Sequence, residues 1–102
     1  MIMARDLIGF VVSAKKLRLE TPTQGKPFEC EADALAIYIK NSNGKERKVS
    51  RTDLEEFCRE FNTSGSRAAS HYSSQSFNAS YLIAITDALL AKRATPPPAQ
   101  EG

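Results

Sequence analysis

Residues 27–50 read PFECEADALAIYIKNSNGKERKVS, and this stretch decides the fold. Apolar and polar side chains alternate around Cys30 and again around Ile37, which is the period-two pattern of strands with one buried face. Paired residues must lie on the same face, so each possible turn can be tested by the faces it produces. A two-residue turn at Asp33 and Ala34 sets Cys30 opposite Ile37 and predicts one apolar face.

The second turn of this ribbon is predicted at residues 42–44, a three-residue loop with Gly44 in the left-handed conformation. This loop sets Ile37 opposite Val49 and continues the apolar face into a third strand. A two-residue loop would instead set Ile37 opposite Ser50 and split that face. The longer loop is therefore preferred.

The segments before this ribbon extend the sheet and add a helix. Residues 17–21 alternate in the same way and predict a further strand. Residues 1–14 carry apolar side chains at helical spacing, although the β-branched pair Val11 and Val12 would also suit a strand. The spacing favours the helix.

The segments after the ribbon predict two helices. Thr52 followed by Glu55 is a capping-box pattern, and the first helix is expected to end near Asn62. Its apolar stripe has the spacing i, i+3, i+4, i+7: Leu54, Phe57, Cys58 and Phe61. A last helix is predicted from the N-cap Asn78 to about Arg93.

Together these elements predict a two-layer α+β fold, in which helices cover one face of a short antiparallel sheet of three to four strands. A chain of 102 residues, 41% hydrophobic and 25% charged, has the composition of a single globular domain. Residues 1–93 are assigned to that domain, and the proline-rich residues 94–102 to a disordered tail. The sequence predicts no membrane span and no export, and two cysteines in apolar positions fit the reducing cytoplasm.

The basic hairpin around the second turn is the first candidate functional site. Lys45, Arg47 and Lys48 lie close to Tyr38, a composition that suits phosphate contacts with aromatic stacking. The whole chain has a net charge of only +2, so nucleic-acid binding would need this local patch. The alternative is a solvated face, because acidic residues alternate with the cations and can form cross-strand ion pairs.

The connector at residues 62–80 is the second candidate, since ten of its nineteen residues are Ser, Thr or Asn. Hydroxyl and amide donors before a helix can hold a phosphate, with Arg67 supplying charge and Tyr72 stacking. A plain polar linker explains the same composition. His71 is the only histidine, with no acidic residue near it in the chain, and neither cysteine has metal-ligand spacing. The sequence therefore predicts neither an enzyme nor a metal or cofactor.

A second, narrower apolar stripe on the last helix offers a different function. Ala79, Ile83 and Leu90 fall on the flank away from the main stripe, where a monomer of this size would leave them partly exposed. A second copy could cover them. The alternative function is therefore a homodimeric protein-interaction module.

Several short stretches together resemble a known group of proteins: residues 25–29, 37–39, 42–45, 49–55 and 77–81. The pattern is similar to small uncharacterised bacterial α+β proteins that are carried on mobile elements such as integron gene cassettes. Similar stretches accompany restriction-type modules. The resemblance spans residues 17–92, and it implies a compact bacterial accessory domain with DNA-linked work. Its motifs are structural and identify no catalytic residue.

Overall fold

The computed structural model describes residues 2–21, 25–65, 72 and 79–94. Along the chain the elements are α1 (Ala4–Ala14), β1 (Leu17–Glu20), β2 (Pro27–Ala32), β3 (Ala36–Asn41), β4 (Glu46–Ser50), α2 (Arg51–Ser64) and α3 (Ala79–Ala94). Within these ranges the strands form one antiparallel sheet in chain order, so β1 and β4 are its edges.

The sheet has one apolar face and one open face, as predicted. The buried side chains of the apolar face are Phe28, Cys30, Ile37, Ile39 and Val49. The alternate residues are exposed or half-buried, as Glu29 and Tyr38 show, except for Ala36 at the start of β3, which is fully buried. On the apolar side α1 packs against β2 and β3, while α3 packs against β1 and α2 against β4. The predicted two-layer α+β fold is therefore confirmed.

The loop between β3 and β4 has the predicted length and register. Ile37 lies opposite Val49, and Lys40 lies opposite Glu46. Gly44 has a φ of 83°, a conformation that costs roughly 1–2 kcal/mol for a residue with a Cβ. A glycine at this position therefore selects the three-residue loop.

The turn between β2 and β3 lies one residue later than predicted. The carboxylate of Asp33 accepts a hydrogen bond from the backbone N–H of Leu35 at 2.8 Å and from the following N–H at 3.0 Å. Asp33 is therefore the residue before the turn, and Ala34 and Leu35 form the turn itself. Cys30 consequently lies opposite Ile39. Each pair moves by two residues, so every side chain keeps its predicted face.

Helix α2 begins two residues earlier than its predicted capping box. Ser50 is the N-cap, and its hydroxyl accepts from the backbone N–H of Asp53 at 3.2 Å. Thr52 lies inside the first turn, so the predicted cap was wrong. At the other end Gly65 has a φ of 66°, and its N–H donates to the carbonyl of Phe61 at 2.7 Å.

Helix α1 confirms the helical interpretation of the first segment. Its N-terminus is capped by Asp6, whose carboxylate accepts from the backbone N–H of Met3 at 2.8 Å. The segment is tied to the end of α2 by Asn62, which accepts from the N–H of Ile2 at 2.9 Å and donates to its carbonyl at 2.8 Å. These bonds join the start of α1 to the end of α2, which packs beside it in the helical layer.

Helix α3 is buried on more of its circumference than an amphipathic surface helix. From Ala79 to Leu90 no residue is exposed, which is the behaviour of a helix that is apolar on nearly all sides. Its predicted N-cap Asn78 and residues 95–102 of the predicted tail lie outside the described residues. Among the described residues no helix combines the length and apolar composition that a membrane span needs.

Candidate functional site

The loop between β3 and β4 is held in one conformation by Asn41. Its side-chain oxygen accepts from the backbone N–H groups of Asn43 and Lys45, each at 3.0 Å. The backbone N–H of Asn41 donates to the carbonyl of Lys45 at 2.9 Å, which closes the loop. Every residue of 42–48 is exposed. We call residues 41–48 the hairpin tip, an ordered and solvent-facing element.

The predicted cations of the hairpin tip lie on both sides of β4. Lys48 is opposite Tyr38, so its side chain leaves the open face of the sheet. Arg47 is opposite Ile39 and therefore leaves the side on which the helices pack. Both are exposed, as is Lys45. The tip thus presents positive charge in more than one direction.

None of these three cations is neutralised by a close ion pair. Within the described ranges, no carboxylate oxygen lies within 4.0 Å of the charged group of Lys45, Arg47 or Lys48. Lys40, on the same hairpin, is equally free of such a pair there. The tip also contains one carboxylate, Glu46, so its three cations leave a net charge of +2.

The far side of the open face follows the alternative prediction of a solvated, ion-paired surface. Arg18 lies 2.6 Å from Glu29, and Lys16 lies 3.8 Å from Glu29 and 3.9 Å from Glu31. The hydrogen bond from Arg18 holds the pKa of the Glu29 carboxyl below its usual range. Exposed pairs of this kind contribute little stability. Because Arg18 and Lys16 already contact carboxylates, they are less available to a polyanion than unpaired cations are.

Tyr38 lies between these two regions of the open face. Its side chain is 39% exposed, and its hydroxyl donates to the carboxylate of Asp33 at 2.9 Å. This bond raises the pKa of Tyr38. The N–H of Leu35 and then the Tyr38 hydroxyl lower the pKa of Asp33. The aromatic ring is therefore fixed at its far end and reachable from solvent, as the predicted stacking role requires.

The charge of Asp33 predicts a pH-dependent stability. The folded-state pKa lies below the ordinary value of 3.8, so the charge stabilises the fold above that value, and this contribution disappears as the pH falls through the lowered folded-state pKa. Asp33→Asn keeps an oxygen acceptor for the turn but removes the charge. We expect the variant to be less stable than the wild type at neutral pH, with the difference closing at pH values below 3.8. Urea unfolding over a pH series measures this, and a difference independent of pH would contradict it.

Of the site residues predicted on the connector, the structure describes Tyr72, which does not join the hairpin tip. Tyr72 is fully buried, and its ring centroid lies 4.9 Å from that of Phe57 in α2. Its ring belongs to the core, so the predicted stacking role does not fit its position. Arg67 and His71 lie outside the described residues.

The residues of the predicted dimer surface are largely covered by their own chain. Ala79 is 2% exposed and Ile83 is 0% exposed, both within the hydrophobic core. Leu90 is half-buried and packs against that core. Packing within one chain therefore already covers this flank of α3, and dimerisation stays a prediction.

The two cysteines are buried in the core. Burial raises the pKa of both Cys30 and Cys58 to about 12. Both thiols are therefore protonated at neutral pH and are poor nucleophiles. Among the described residues, no group of three His, Cys, Asp or Glu side chains is placed to hold a metal ion.

Comparison of the chain with protein-family models, with curated proteins and with solved structures finds no match. The resemblance to small proteins of bacterial mobile elements therefore stays a prediction. What the hairpin tip binds must be inferred from its own chemistry.

Proposed function

We propose that this protein is a non-enzymatic binding protein that contacts the phosphate backbone of nucleic acids with its hairpin tip. The observation that carries the proposal is the group of three exposed cations, Lys45, Arg47 and Lys48, without carboxylate partners in the described structure. Lysine and arginine supply most of the affinity of proteins for nucleic-acid backbones. Asn41 holds the loop that carries them, which lowers the entropy lost on binding.

The other dense group of cations in the described chain makes a useful contrast. Lys15, Lys16 and Arg18 are as closely spaced as the cations of the tip. Lys16 and Arg18, however, face Glu29 at 3.8 Å and 2.6 Å. A polyanion would have to compete with that carboxylate there, whereas the cations of the hairpin tip form no close ion pair within the described residues.

The shape of the tip suits contact with two rows of phosphates. A two-stranded β-ribbon fits into the major groove of DNA, where side chains on its two sides can reach the two flanking backbones. Arg47 and Lys48 leave opposite sides of β4. The polar residues Ser42 and Asn43 of the loop add neutral hydrogen-bond donors. Three phosphate contacts predict a slope of about −3 in a plot of log affinity against log salt concentration.

Salt-dependent binding to labelled DNA tests this proposal. We expect the wild type to bind duplex DNA at about 50 mM salt and to release it as salt rises. Lys45→Ala combined with Arg47→Ala removes two of the three contacts, so we expect affinity at low salt to fall about tenfold or more and the slope to fall by about 2. Fluorescence anisotropy over a salt series measures both quantities.

A matched control separates the tip from a general charge effect. Arg5→Ala combined with Arg59→Ala removes the same number of charges from exposed positions on α1 and α2. This variant should keep nearly all of the affinity. Absence of binding at low salt, or equal losses in the two double variants, would exclude the hairpin tip as the site.

A further inference from the structure

Within the described residues, strand β1 is an edge of the sheet whose outward backbone groups have no hydrogen-bond partner. The N–H of Thr21 donates to the carbonyl of Lys26 at 3.0 Å, which fixes the alternation of the β1–β2 ladder. By that alternation Leu19 points its backbone groups toward β2, and Arg18 and Glu20 point theirs away from the sheet. Nothing in the described part of the chain bonds to those outward groups.

The charges on this edge are complementary to those on the same edge of a second copy of the chain. When a second copy pairs antiparallel around Leu19, Arg18 of each chain lies opposite Glu20 of the other. The guanidinium of Arg18 has five N–H donors and uses one of them on Glu29, so others stay available for this second carboxylate. Arg18 and Glu20 are also the residues whose backbone groups point outward, so backbone bonds and charge pairs form together. Moving the register by one step of the ladder sets either Arg18 opposite Arg18 or Glu20 opposite Glu20. We infer that the protein forms a two-fold dimer through β1, independent of what the hairpin tip binds.

The other edge of the sheet differs from β1 in the residue at its centre. The outward backbone groups of β4 belong to Glu46 and Lys48. Centring an antiparallel pair on β4 sets Glu46 of each chain opposite Lys48 of the other, but it also sets Arg47 opposite Arg47 at the centre. The neighbouring registers set Lys48 opposite Lys48 or Glu46 opposite Glu46. Basic residues on an edge strand protect it against pairing. The central pair is Leu19 with Leu19 at β1 but Arg47 with Arg47 at β4, so pairing through β1 is favoured over pairing through β4.

Pairing through β1 also covers apolar surface. Leu17 and Leu19 are only half-buried and pack against the core from the edge of the sheet. In the proposed register Leu19 faces Leu19 in a non-hydrogen-bonded pair, where side chains approach most closely. Two four-stranded sheets become one sheet of eight strands, with the two β1 strands at its centre.

Charge reversal tests the dimer. In the proposed dimer, Glu20→Lys sets the new lysine opposite Arg18 of the other chain at both ends of the β1 pair. Arg18→Glu likewise sets two carboxylates opposite each other at both ends. We expect the dissociation constant of the dimer to rise about tenfold or more in either variant. An equal mixture of the two variants restores both opposite-charge pairs, so we expect it to form dimers again. Sedimentation velocity over a wide concentration range measures all three samples.

The outcomes of this experiment are distinct. A wild type that is monomeric up to millimolar concentration overturns the inference, and so does a Glu20→Lys variant that dimerises as tightly as the wild type. Arg18→Glu also places a carboxylate beside Glu29, so circular dichroism must show that it folds. If it does not, Glu20→Lys and the distance below decide the question.

A distance between two labels tests the geometry directly. Leu19, Phe28 and Asn41 lie in one row across the sheet, and Asn41 pairs with Lys45. In the proposed dimer the two Lys45 positions are seven strand spacings apart, about 30–35 Å. Lys45→Cys can be spin-labelled selectively, because both native cysteines are buried. Pairing through β4 would instead give less than about 20 Å, and that result would refute the β1 joint.

Discussion

Ile39→Lys is expected to lower the free energy of unfolding by more than about 4 kcal/mol. Ile39 is 1% exposed on the apolar face of the central strand β3. Its cross-strand neighbours are Cys30 and Arg47. A lysine at this position would therefore lie beside one positive charge and beside no carboxylate in the sheet. An unpaired buried ammonium is among the most destabilising changes in a protein core.

The adjacent residue provides the matched control. Lys40 is exposed on the opposite face of the same strand. Lys40→Ile should change the free energy of unfolding by less than about 1 kcal/mol, because it removes no buried contact and isoleucine suits a strand. Urea unfolding of the two variants measures the contrast. Similar losses in both variants would contradict the assignment of Ile39 to a buried face of β3 and of Lys40 to an exposed face.

Tyr72→Ala is expected to cost about 3–5 kcal/mol of stability, because a large aromatic side chain in the core is replaced by a cavity. Tyr72 is fully buried against Phe57. The same change at Tyr38, which is 39% exposed, should cost much less, chiefly through the lost bond to Asp33. Thermal or urea unfolding measures both.

The two substitutions should have the reverse order of effect on DNA binding: the change at Tyr38 should weaken it, and the change at Tyr72 should not. At a temperature where both variants are folded, Tyr72→Ala should bind DNA as the wild type does, because its ring faces the core. Tyr38→Ala removes the accessible ring beside Lys48 and should weaken binding to single-stranded DNA. A stable Tyr72→Ala variant with weakened binding would support the stacking role predicted from the sequence and contradict the buried position.

The faces of the sheet could be predicted from the sequence because side-chain alternation has a strict period of two. A wrong turn position does not disturb it if the register shifts by an even number, as happened at Asp33. The turn itself was misplaced because an aspartate is favoured both within a turn and before it. At the β3–β4 loop Gly44 removed that ambiguity, since few other residues adopt its conformation.

The helical layer was less predictable, because burial of a nearly apolar helix depends on everything packed around it. The pattern of α3 predicted a covered stripe and an exposed flank with Ile83, whereas the chain buries both. The burial of Tyr72 has no local signal, since it arises from contact with Phe57 of a helix assigned to a different segment. Such contacts are set by tertiary packing rather than by periodicity.

The sequence predicted which residues make up the candidate site, but not which of its charges form ion pairs. The sequence locates Lys45, Arg47 and Lys48, but charge alternation alone could not show which cations form ion pairs. It also did not single out Asn41, although an asparagine before a Ser-Asn-Gly loop is a known turn signal. The structure contributes two facts: the three cations of the hairpin tip form no close ion pair in the described chain, and Asn41 holds the loop that carries them.

The contact between the hairpin tip and nucleic acid is tested most directly by an NMR titration of the ¹⁵N-labelled protein with a short DNA duplex at low salt. We predict that the largest amide shift changes fall on residues 41–48 and that they reverse when salt is added. Amides of α1 and of the ion-paired strands β1 and β2 should change little. Unchanged signals for residues 41–48 at saturating DNA, or the largest changes on the helices, would contradict the proposal.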